Sequence, residues 1–121
     1  RAGDRVRLNV KVDGLDKVMK DFSLKGIQAQ GNADKITETY TRKMANESGR
    51  MAPVDSGDLR ASIIASPRRL QPATWEYGSE LPYARRQEYE HRSKKGFIRK
   101  SVWKNRTPYR EALRKEFAKW R

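Results

Sequence analysis

One helical face, stopped by a proline, constrains this chain most. Ala33, Ile36, Tyr40, Met44 and Ser48 or Met51 recur on one side of a helix, while Lys35, Glu38, Arg42, Lys43 and Glu47 cover the other. Asn32 reads as the N-cap. Gly49 weakens the far end, and Pro53, which restricts the residue before it and has no N–H, predicts a stop near Met51 or Ala52. The apolar stripe has to be buried against a second layer, which the rest of the chain must supply.

Strand patterns supply that layer. Residues 5–12 alternate polar side chains with Val6, Leu8, Val10 and Val12, the period of a strand with one wet face. Leu15, Val18, Met19 and Phe22 predict a short amphipathic helix after it. Residues 53–58 are turn-like in composition. Residues 59–66, with Ile63 and Ile64, read as a strand; Ala73, Trp75 and Tyr77 alternate as the next, and residues 67–72 connect the two as a hairpin. Pro82-Tyr83-Ala84 opens a short helix through about Glu90. Residues 91–106 read as a mobile basic loop. A closing helix follows, with Thr107 as N-cap, Pro108 at its first position, and Tyr109, Ala112, Leu113, Phe117 and Trp120 along one stripe. The expected fold is α+β: a small antiparallel sheet of three to four strands packed against one long helix and a C-terminal helix, in a single domain over residues 1–121.

Composition narrows the chemistry. The 121 residues include no Cys and one His, which excludes disulfide frameworks and Cys-based zinc or iron–sulfur sites. No stretch approaches the 18 or more apolar residues of a membrane-spanning helix, so a soluble chain without membrane partners is expected. The glycines match neither phosphate-binding fingerprint. Asp55 and Asp58 beside Ser56 have the spacing of a metal loop or acid–base pair, but also of a turn and a cap. His91, between Glu90 and Arg92, lacks a partner nucleophile motif. No catalytic, cofactor-binding or metal-ligating residue is assigned, and no enzymatic activity is expected.

The charge is uneven. Lys and Arg number 28 against 15 Asp and Glu, for a net +13. In residues 92–121 twelve Lys or Arg meet only Glu111 and Glu116, so ten of the thirteen net charges lie there. Phe97 and Trp103 stand among them in sequence read as irregular, which marks Lys94, Lys95, Phe97, Arg99, Lys100 and Trp103 as a candidate interface. Aromatics mixed with cations suit a protein partner, where Trp and Arg concentrate, or a nucleic acid, where they stack and pair with phosphate.

The run Ala52-Pro53-Val54-Asp55-Ser56-Gly57-Asp58-Leu59-Arg60-Ala61-Ser62-Ile63 resembles the pattern A-P-x-D-[ST]-G-x-L-[RK]-x-S-I of the small head-to-tail connection proteins of tailed bacteriophages, called neck, tail-completion or minor tail-component proteins. Trp75-Glu76-Tyr77-Gly78, the Tyr83-Ala84 pair, Phe97-Ile98-Arg99 and the closing helix fall where that family has a strand, a Tyr-Ala pair, an F-[IL]-R segment and a last helix. The similarity spans about residues 33–120. It departs after the Tyr-Ala pair, where Glu88-Tyr89-Glu90-His91 replaces a frequent Glu-x-Gly.

The resemblance implies a virion structural protein, assembled in the bacterial host cytoplasm, that forms a homo-oligomeric ring, commonly a hexamer. The ring sits at the head–tail junction or tail end and joins the portal, adaptor and head-closure complex to the tail tube, with transient contact to DNA in the channel. Pro53, Asp55, Ser56, Gly57, Leu59, Arg60, Ile63, Tyr83 and Ala84 are then architectural. Residues 92–106 and the strand at 5–12 are the expected contact surfaces. A basic nucleic-acid-binding module is the alternative, and a small RNase built on His91 and Glu88 a third reading.

Overall fold

The structure, a computed structural model, describes residues 8–14, 27–53, 57–92 and 94–119. Its elements run β1 (Leu8–Asp13), α1 (Ile27–Met51), α2 (Asp58–Ile64), β2 (Arg68–Gln71), β3 (Thr74–Ser79), α3 (Ala84–Glu90) and α4 (Phe97–Ala118). The three strands form one antiparallel sheet in the order β1-β3-β2, so the fold is α+β as the periodicities predict. β3 is the central strand, buried along nearly its whole length, and β1 runs beside it from Leu8 opposite Ser79 to Asp13 opposite Thr74. Among the described residues no helix is long and apolar enough to cross a membrane.

The long helix α1 packs against α4, α2 and β3 and so organises the domain. One cluster gathers Met44, Ala45, Leu59, Ile63, Tyr77, Phe97 and Ile98; a second joins Ala33 and Ala73 to Leu113 and Phe117 of α4. The buried face of α1 is rotated from the predicted one: Ala33, Met44 and Ser48 are buried as expected, but Ile36 and Tyr40 are only half-buried, and Glu47, expected on the outer side, turns toward α4. The face is small and partly polar, because Thr37, Thr41 and Ser48 are buried on it. Each hydroxyl has a partner: Thr37 meets the Tyr109 hydroxyl at 2.7 Å, Thr41 donates to the Thr37 carbonyl, and Ser48 meets the Tyr77 hydroxyl at 3.2 Å. Burial pushes the Tyr77 phenol up to about 12, so it stays protonated in that contact.

Several expectations are corrected. Asn32 is no N-cap: α1 already runs from Ile27, and the Asn32 amide instead donates to Glu116 on α4 at 2.7 Å. Residues 59–66 are not a strand. Leu59 and Ile63, four apart, are buried together while Ile64 is 39% exposed, and Asp58 suits the positive end of the helix, so the helical period outweighs the β-branched pair. The hairpin's first strand is β2, inside the segment read as a connection. Most of the segment read as a mobile loop at 91–106 is the first half of α4, because Phe97, Ile98, Ser101 and Asn105 recur on one buried face. Pro108 therefore lies inside a helix and not at its start. Val6, the helix predicted from Leu15 to Phe22, and Trp120 lie outside the described residues.

The β2–β3 turn is held from a distance. Gln71 pairs with Thr74, which leaves Pro72-Ala73 as a two-residue turn with Ala73 at φ +62°, a conformation usually given to Gly. Asp34 of α1 keeps it there: one carboxylate oxygen accepts the Ala73 N–H at 2.8 Å, the Trp75 indole N–H at 3.1 Å and the Arg69 guanidinium at 3.2 Å. On the other side the Ala73 carbonyl accepts from Gly14 N–H at 2.7 Å. Removing Asp34 would take the acceptor from the Ala73 and Trp75 N–H groups and from the Arg69 guanidinium beside a strained turn. Asp34→Ala is expected to cost about 3 kcal/mol, read as a lower urea midpoint with unchanged slope; a change under about 0.5 kcal/mol would show that the clamp does not matter.

Candidate functional site

The block from Pro53 to Ile63 builds a corner between α1 and α2. Pro53 follows the last turn of α1, and Gly57, at φ +80°, takes the left-handed backbone angle that starts α2. Arg60 then reaches back: its Nε donates to the Gly49 carbonyl at 3.1 Å and its Nη2 to the Arg50 carbonyl at 3.3 Å. These are carbonyls of the last turn of α1, which lack intrahelical donors and carry the negative end of the helix dipole. Leu59 and Ile63 anchor the corner in the core. Asp55 and Ser56 lie outside the described residues. Of the remaining pair in the pattern, Ala84 is buried at the start of α3 and Tyr83 is exposed before it.

A second construction fixes the start of α4. Glu88 is 1% exposed, and its carboxylate accepts the Ile98 N–H at 2.8 Å, the Arg99 N–H at 3.1 Å and the Arg99 Nε at 2.8 Å. Its main-chain carbonyl accepts from Gly96 N–H and from Arg99 Nη2. The carboxylate thus caps a helix N-terminus from another helix, where both the orphan N–H groups and the dipole favour a negative charge. Gly96, at φ +81°, turns the chain into α4 at this point. Further along, Glu47 of α1 accepts Asn105 Nδ2 at 2.6 Å and Lys104 Nζ at 3.3 Å, with the Ser101 hydroxyl 3.1 Å away.

This anchoring sorts the candidate interface. Phe97 is buried in the core and cannot touch a partner. Lys95, Arg99, Lys100 and Trp103 meet in one open groove on the outer side of α4, together with Arg92 and Lys104. Lys94 is exposed nearby, and its main-chain N–H donates to His91 Nδ1 at 2.9 Å. Trp103 is 74% exposed and has the Arg106 guanidinium 5.5 Å from its ring centre; Arg99 lies 4.4 Å from the ring of Tyr89. Arg92 and Lys104 fall within the expected contact segment 92–106 but were not among the residues singled out from the sequence. The signal was the helical spacing of Arg99 with Trp103 and Lys100 with Lys104, visible only once the segment is taken as a helix.

The residues of the RNase reading have structural duties here. Glu88 is committed to the helix cap, and His91 Nδ1 accepts a loop N–H. Among the described residues no three His, Cys, Asp or Glu side chains converge as a metal would require. No family model, curated protein or solved structure matches the chain.

Two outcomes follow. Glu88→Gln replaces a charge that faces two main-chain donors and a guanidinium with an amide that brings its own N–H groups, and should cost about 2–4 kcal/mol; a melting temperature within a degree or two of the parent would reject the cap. Asp34 and Glu47 are each raised by burial, yet their hydrogen bonds outweigh it: Ala73, Trp75 and Arg69 for Asp34, and Asn105, Lys104 and Ser101 for Glu47. Both carboxyls end below their ordinary values. Groups lowered by folding add stability that is present above the unfolded value of about 4 and lost as pH falls through the folded one. The urea midpoint is therefore expected to drop below about pH 4, and to drop less in Glu47→Gln. An equal drop in both proteins would remove Glu47 from the account.

Proposed function

We propose that this chain is a structural subunit of a tailed-phage virion, forming a ring at the head–tail junction or tail end between the portal complex and the tail tube. The observation that carries the reading is the α1–α2 corner. The residues of the Pro-x-Asp-Ser-Gly-x-Leu-Arg block that are described act as architecture: Gly57 supplies the backbone angle, Leu59 and Ile63 the core contact, and Arg60 the cap on α1. A motif spent on a rigid corner suits a building block more than a catalyst.

A closed ring needs heterologous contacts, in which one surface of a subunit meets a different surface of its neighbour. The sheet supplies one such surface at β2, an edge strand whose four residues are all exposed. α4 supplies another on its outer side.

The basic nucleic-acid module is the second reading, favoured by Lys100, Arg106, Arg110 and Lys115, exposed or outward on α4 without a carboxylate partner among the described residues. Light scattering after size exclusion, at low and high salt and with a short duplex, separates the two. A ring-sized mass, several times 14.1 kDa and unchanged by duplex, is the expected result. A monomer whose duplex binding falls steeply with salt would replace the ring with the nucleic-acid module.

A further inference from the structure

We propose that the outer side of α4, with the neighbouring end of α1, is a docking surface for an acidic protein segment that carries two large apolar side chains separated by carboxylates.

Two grooves lie side by side here and share a wall. The first is lined by Trp103 together with Arg92, Lys95, Arg99, Lys100 and Lys104. The second is lined by Lys100 and Lys104 again, with half-buried Met51, Arg50 and Glu47. Lys100 and Lys104 are four residues apart on one helix and form a cationic ridge between two apolar floors. Their aliphatic stems extend those floors and their ammonium groups stand at the rim.

Charge complementarity names the occupant. Arg92, Lys95 and Lys100 have no carboxylate partner among the described residues. Glu47 is ion-paired with Lys104 at 3.3 Å, so it offsets that lysine and leaves these three cations uncompensated. A partner that brings carboxylates to the ridge and one apolar group to each floor satisfies every part of the surface.

The alternation of apolar and cationic ground also favours protein over nucleic acid. A single strand stacks its bases on successive aromatic faces. Here the second floor is a methionine and not a second aromatic face. An exposed Trp that a partner can cover, flanked by charged groups, is also the usual form of an energetic anchor between proteins.

The surface goes beyond the ring reading and does not need it. The test measures binding of the full chain to poly-glutamate, to a random Glu–Tyr copolymer, to an oligothymidine strand and to a duplex, at near-physiological salt. The copolymer is expected to bind about tenfold more tightly than poly-glutamate, and Trp103→Ala to erase that gap. Trp103 is 74% exposed, so its removal spares the core. The double variant Lys95→Glu, Lys100→Glu should weaken both polymers about tenfold.

A copolymer no tighter than poly-glutamate, or a gap that survives Trp103→Ala, overturns the proposal. Oligothymidine binding above the copolymer and lost in Trp103→Ala also overturns it, in favour of a nucleic-acid site. A monomeric chain that still shows the Trp103-dependent gap supports this surface and counts only against the ring.

Discussion

The buried carboxylate of Glu88 decides where α4 starts and which way it faces. A charge removed from water is costly unless its oxygens are filled, and these receive two main-chain N–H groups and one guanidinium. Because the donors belong to the first turn of α4, the cap sets both the position and the rotation of that helix. Phe97 and Ile98 turn into the core, Arg99 turns out over Tyr89, and one turn later Trp103 faces solvent.

The contact between α1 and α4 is held by polar groups as much as by apolar ones. Asn32 with Glu116, Thr37 with Tyr109, and Glu47 with Ser101 and Asn105 form a series of bonds along the two helices. Apolar burial alone would accept several alignments of two helices, since any neighbouring ridge fits a groove. Hydrogen bonds that all have to close at once accept one. Every buried side-chain polar atom among the described residues has a partner, which is the condition for such a strip to favour the fold.

Much of the fold was legible because local period and turn chemistry agree with it: the end of α1 at Pro53, the short helix after Pro82, the strand through Trp75 and Tyr77, and the Leu113–Phe117 stripe. The errors arose where a local signal competed with a tertiary one. Ile63-Ile64 looks like strand, yet Leu59 and Ile63 share a buried face. Thr107-Pro108 looks like a helix start, yet the helix was already begun by Gly96 and the Glu88 cap, and Pro108 sits on its exposed side. The basic groove was half legible. Charge and Trp103 were visible in the sequence, but the burial of Phe97 and the ion pairs of Arg99 and Lys104 depend on residues from α1 and α3 that no spacing rule connects.

The clasp that fixes α4 has a consequence for the kinetics of anything that lands on it. A platform ordered from within loses little conformational freedom when it is covered, so association resembles the docking of two preformed bodies. Salt then acts on the rate of encounter through the lysines and arginines, whereas the lifetime of the contact rests on the indole. Arrival and departure would be tuned by different residues on the same face of one helix.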